Sequence, residues 1–67
     1  MSDEAELLRH QATTQRMMRR LGGFARGLGL DEAATWEIVE QIAADLPDQD
    51  DGDRLDAARQ RMIVASA

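Results

Sequence analysis

Residues 7–30 read LLRHQATTQRMMRRLGGFARGLGL, and the winding of this stretch decides the fold. It holds five of the eight arginines, Arg9, Arg16, Arg19, Arg20 and Arg26, and no acidic residue. Wound at about 100° per residue, it places Leu7, Thr14, Met17, Met18, Leu21, Phe24, Ala25 and Leu28 on one arc, with the arginines spread over the other side. That pattern predicts an amphipathic helix with one apolar and one basic face. Gly22 and Gly23 interrupt it, at a cost of about 1 kcal/mol each relative to alanine in a helix interior. The arc nevertheless keeps its phase through the pair, since Phe24, Ala25 and Leu28 fall in line with Met17 and Leu21. The expectation is therefore one long helix over about 3–28, with a kink at the glycines as the alternative. Ser2 or Asp3 is the expected N-cap, and Asp3, Glu4 and Glu6 complement the positive end of the helix dipole.

Two shorter helices follow. Gly27 and Gly29 bracket Leu28, and Asp31 then offers a cap to a helix over about 31–46. Its apolar arc comprises Thr35, Trp36, Ile38, Val39, Ile42, Ala43 and Leu46, while Glu37, Glu40, Gln41 and Asp45 face away. Pro47 ends it, and PDQDDGD (47–53) is a turn by composition. Asp51 or Asp53 is the expected cap of a third helix over about 53–65, with Leu55, Ala58, Met62 and Ala65 on its inner side. Ile63 and Val64 lie off that stripe, so they either cover a neighbouring helix or mark a contact surface. No alternating stretch is long enough to predict a strand. The fold expected is all-α, a small three-helix bundle with a long first helix, in a single helical domain over 1–67.

Sixty-seven residues lie near the lower limit at which one core offsets chain entropy without a disulfide or a metal. With one Phe, one Trp and four Met, that core is thin and adaptable, which suits completion by a partner or by a homodimer. The chain has no cysteine, its start MSDEAE lacks the basic residues and apolar run of a signal peptide, and nothing approaches the roughly 20 apolar residues that span a membrane. The expectation is a cytoplasmic protein with no membrane contact. Arginine without lysine, together with eleven alanines, points to a bacterial or phage source with GC-rich coding.

The net charge of −5 conceals segregation. Residues 1–6 carry −3, residues 7–30 carry +5, residues 31–53 carry −9 and residues 54–67 carry +2. The arginine face of the first helix is the strongest candidate binding surface, with Arg9, Arg16 and Arg20 on one line and Arg19 and Arg26 on the next. It suits an acidic protein or a phosphate backbone. The competing reading is a solvated face partly neutralised by Glu and Asp of the second helix. Overall acidity disfavours nucleic acid. Trp36, at the edge of its arc, and the off-stripe Ile63 and Val64 complete the partner-binding candidates.

Other chemistry is poorly supplied. The chain has no Cys, Lys or Tyr, serine occurs only at positions 2 and 66, and the single histidine, His10, has no ligand-type residue three or four positions on. No enzyme, cofactor or metal site is expected, and His10 reads as a half-buried packing residue. Aligning Gly52 with the invariant glycine of a calcium loop leaves Pro47 at a ligand position and Ala58 where the bidentate Glu belongs, so 47–53 reads as a capped polar turn.

One segment, FARGLGLDEAATWEIV (24–39), resembles the helix-turn-helix of bacterial regulators. Ala25 matches the small residue of the first helix, Gly29 the turn glycine four residues later, Leu28 and Leu30 the flanking apolar positions, and Ile38 a buried position of the second helix. The resemblance implies two closely crossing helices and a role in transcription control. Thr35 departs from it, standing where a branched apolar residue is usual. So does the opening Asp31, Glu32, Ala33, Ala34, because acids there would be repelled between two rows of phosphate. A glycine at position 29 also serves simply as a C-cap between two packed helices. Glu37-Ile38-Val39-Glu40 is fainter in its similarity, to the core-binding region of bacterial sigma factors, whose promoter-melting aromatic and basic residues have no counterpart in 48–67. The function expected is a non-enzymatic protein-interaction module, a small transcription-related regulator. A helix-turn-helix nucleic-acid binder using the arginines, and an acidic inhibitor whose residues 31–53 mimic nucleic acid, are the alternatives.

Overall fold

The computed structural model describes residues 2–67, the side chain of Ser2 excepted, and is a bundle of three helices: α1 Ser2–Gly27, α2 Glu32–Asp45 and α3 Asp51–Ser66. α1 runs through Gly22 and Gly23 without a break. Its 26 residues, at about 1.5 Å each, account for most of the 41 Å long axis of a molecule only 19 by 16 Å across. Ser2 and Asp3 lie within the helix, so neither is the cap expected of them, and what precedes Ser2 lies outside the described residues.

The turn between α1 and α2 is built by backbone geometry at one glycine. Gly29 has φ +81°, Leu30 N–H donates to the Ala25 carbonyl at 3.0 Å and Gly29 N–H to the Arg26 carbonyl at 3.0 Å. This pair of bonds is the Schellman closure of a helix, and Leu30 packs on the core beside Ala25, supplying the apolar contact that accompanies it. Gly29 is thus the C-cap glycine between two packed helices. Asp31 caps α2 as expected, its carboxylate accepting from Ala34 N–H at 2.8 Å.

The second turn differs from expectation. α3 starts two residues earlier than predicted and is capped by Asp50, not by Asp51 or Asp53: Asp50 Oδ1 accepts from Asp53 N–H at 2.8 Å. Arg54 then reaches back over the turn. Its guanidinium donates to the carbonyls of Leu46 (2.9 Å) and Pro47 (2.8 Å) and to Asp51 Oδ1 (2.9 Å), with its side chain only 12 % exposed. It satisfies carbonyls that the end of α2 leaves without helical partners.

The core takes Met17, Leu21 and Ala25 from α1, Ile38, Val39, Ile42 and Ala43 from α2, and Leu55, Ala58 and Met62 from α3. Met18, Leu28, Leu30, Leu46 and Ala57 pack around it half-buried. Thr14 and Thr35 are buried too, and each returns its hydroxyl to a carbonyl of its own chain, Gln11 at 2.9 Å and Asp31 at 2.8 Å. Thr35 therefore presents its methyl to the core with no unpaired donor. Ala65, expected inside, is exposed in the last turn of α3. Leu7 and Phe24, expected on the buried arc, are also exposed, at 55 % and 36 %.

Candidate interaction surface

The position of Leu7 follows from helix lengths. α2, with 14 residues, spans about 21 Å and α3, with 16, about 24 Å, against about 39 Å for α1. The two short helices cover α1 from Thr13 onward and run out before its start. Of residues 3–12 every one is exposed except His10, which is half-buried. The first three turns of α1 therefore stand clear of the core as an arm carrying Leu7 and, on its outer side, Leu8 at 60 % exposure. Leu8 escaped the sequence reading because it lies off the apolar arc, a placement that itself signalled an apolar side chain with nothing of its own chain to cover it.

All five arginines of α1 are exposed. The acids of α2 do not neutralise them: among the described residues the ion pair made by this face is Arg16 Nε to Asp51 Oδ2 of α3, at 3.5 Å. Arg9 and Arg26 donate weakly to carbonyls one turn back, Ala5 and Gly22, both at 3.4 Å. Arg9, Arg19, Arg20 and Arg26 have no carboxylate partner among the described residues, so the outer face of α1 keeps its positive charge. Of the four aspartates of the turn, two are engaged locally, Asp50 as a cap and Asp51 by Arg54 and Arg16.

The other candidates sit elsewhere. Trp36 is half-buried at the edge of α2, while Ile63 and Val64 are 50 % and 74 % exposed near the end of α3. Val64 borders a shallow cleft of about 420 Å³ between α2 and α3, floored by Ile42, Leu46 and Ala57 and flanked by Asp45 and Arg61. His10 lines a cleft of about 480 Å³ with Glu6, Arg9, Asp48 and Arg54, where the arm passes the α2–α3 turn. The predicted residues thus divide between the outer face of α1 and two separate edges of the bundle. No group of three or more His, Asp or Glu that could hold a metal occurs among the described residues, and no helix is long and apolar enough to cross a membrane.

No family model, curated protein or solved structure matches this chain.

Proposed function

We propose that this chain is a non-enzymatic protein-binding module, a small cytoplasmic regulator that docks through the outer face of α1. The observation that supports this reading is the uncovered arm, with two exposed leucines beside a row of arginines that the chain does not neutralise. A helix face with exposed leucines near its start and, further along, four arginines without a carboxylate partner suits an acidic protein surface: leucines supply buried area, and the charges steer encounter and fix orientation. The resemblance of residues 24–39 to bacterial regulators supports placing the module in transcription control.

A nucleic-acid reading draws on the same free arginines, which could neutralise phosphates. It draws nothing from α2, whose exposed start is Asp31 and Glu32. Capture from nuclease-treated bacterial lysate separates the two. The protein reading predicts a discrete partner retained after nuclease treatment and lost with a Leu7→Ala/Leu8→Ala variant. Binding to duplex of any sequence that falls steeply with salt, disappears in an Arg16→Ala/Arg19→Ala/Arg20→Ala variant and ignores the leucines would overturn it.

A further inference from the structure

The arm carries a self-complementary pattern. Residues four apart on a helix form a ridge, and Glu4, Leu8, Ala12 and Arg16 form one such ridge, all four exposed. Along it the order is anion, large apolar, small apolar, cation. Set beside a second copy of itself running the opposite way, the ridge places Glu4 against Arg16, Leu8 against Ala12, Ala12 against Leu8 and Arg16 against Glu4. The adjacent ridge, Asp3, Leu7, Gln11, Gln15 and Arg19, repeats the polarity, with an acid at its start, a leucine next and an arginine at its end. Run in parallel, the same ridges would set acid against acid and arginine against arginine.

We propose that the arm pairs with the arm of a second copy of this chain, antiparallel, about a two-fold axis between Leu8 and Ala12. The inference rests on the reading of α1 as a docking surface and names the first occupant of that surface. The geometry permits it because the ridge lies on the side of α1 away from the core, and α3 reaches it only at its end, through the pair of Asp51 with Arg16. Ridges of this spacing interdigitate when two helices cross at about −50°, and a small residue opposite a large one, Ala12 opposite Leu8, lets the axes come close. The contact is isologous, so each complementary pair occurs twice. Arg16 keeps its carboxylate neighbour Asp51 and gains Glu4 of the other copy. Arg9 and Arg20 stay outward, doubled by the two-fold axis and available to a further acidic partner.

The test is sedimentation across a range of protein concentrations at low salt, with helicity followed by circular dichroism for every variant. Wild type is expected to show a monomer–dimer equilibrium that weakens with added salt. Glu4→Arg alone and Arg16→Glu alone each turn both attractive pairs repulsive and should weaken the dimer about tenfold or more. An equimolar mixture of these two variants should associate again, and so should the double variant, because only antiparallel pairing restores opposite charges in both cases. Should Arg16→Glu lose helicity through its proximity to Asp51, Leu8→Glu on the exposed arm gives a second readout, abolishing association with the fold intact. A monomeric wild type, single variants that associate like wild type, or a mixture that fails to associate would each overturn the pairing. A monomeric wild type that still captures a discrete protein through Leu8 would leave the docking reading standing and remove only the dimer.

Discussion

At the scale of single residues, Arg54 shows how much of this small fold hangs on one side chain. Two of its hydrogen bonds tie the end of α2 to α3, to the Leu46 carbonyl, which otherwise accepts only a long 3.4 Å bond from Gln49 N–H, and to the Pro47 carbonyl, while the third holds Asp51 at the start of α3. Bonds to a charged donor contribute about 1.5–3 kcal/mol each net of water, less where water can take over at the surface, so Arg54→Ala should cost about 2 kcal/mol. In a domain of this size that lowers the melting temperature by about 10 °C, measurable by thermal circular dichroism. Arg54→Lys should recover little, because a single ammonium cannot reproduce the fork that spans Leu46, Pro47 and Asp51. Nothing in the sequence marked Arg54 for this role, since the bond to Leu46 spans eight positions and depends on how the turn folds. The cap at Asp31 was legible for the opposite reason: one acid stands before one apolar run, and the bond closes within three residues. The turn at 47–53 offers four aspartates within reach of the same helix start, so composition named the device while leaving its owner, Asp50, undetermined. Thr35 looked like a departure from a buried apolar position, yet its hydroxyl closes on Asp31 and its exposure is 2 %.

At the scale of the helix, periodicity reported faithfully which side of α1 faces inward but not how far along α1 the inside extends. Thr14, Met17, Leu21 and Ala25 are buried as their phase predicted, and Leu7, in the same phase, is not, because α2 and α3 end short of it. Phase is a property of one helix, whereas cover depends on its neighbours' lengths. Comparing the expected lengths of the three helices would have exposed the mismatch. The same helix carries a reserve of stability at Gly22 and Gly23. Both sit in helical backbone, and a Cβ added at either would meet nothing within 4 Å outside the helix's own backbone and adjoining residues. Alanine there removes unfolded-state entropy without a clash, a gain of about 0.5–1 kcal/mol per site. Gly22→Ala/Gly23→Ala should therefore raise the melting temperature by about 5–10 °C with unchanged helical content. A lowered value would mean that the glycines serve a bend or a close approach by a partner, which would itself bear on the docking surface.

For the molecule as a whole, the consequence of a long helix on a short bundle is that stability and recognition occupy different parts of one chain. The core comprises ten apolar side chains, and a domain of this length is stable by roughly 3–10 kcal/mol on the usual per-residue scale. Leu21 is fully buried within the core cluster, so Leu21→Ala leaves a cavity and costs about 2–5 kcal/mol, a large fraction of that total. That variant should unfold at or near room temperature and lose urea cooperativity. Leu7→Ala/Leu8→Ala removes more apolar volume than Leu21→Ala does, from side chains that are 55 % and 60 % exposed and that the core does not include. Alanine is also the better helix former, so in dilute solution the double variant should melt within about 2 °C of wild type. The contrast becomes more informative as protein concentration rises. Pairing of arms adds stability by mass action to wild type alone, so the melting temperature of wild type should climb with concentration while that of the double variant stays flat. Equal slopes would mean that the arm neither pairs nor contributes to the bundle, and would leave its exposed leucines to a partner of different chemistry.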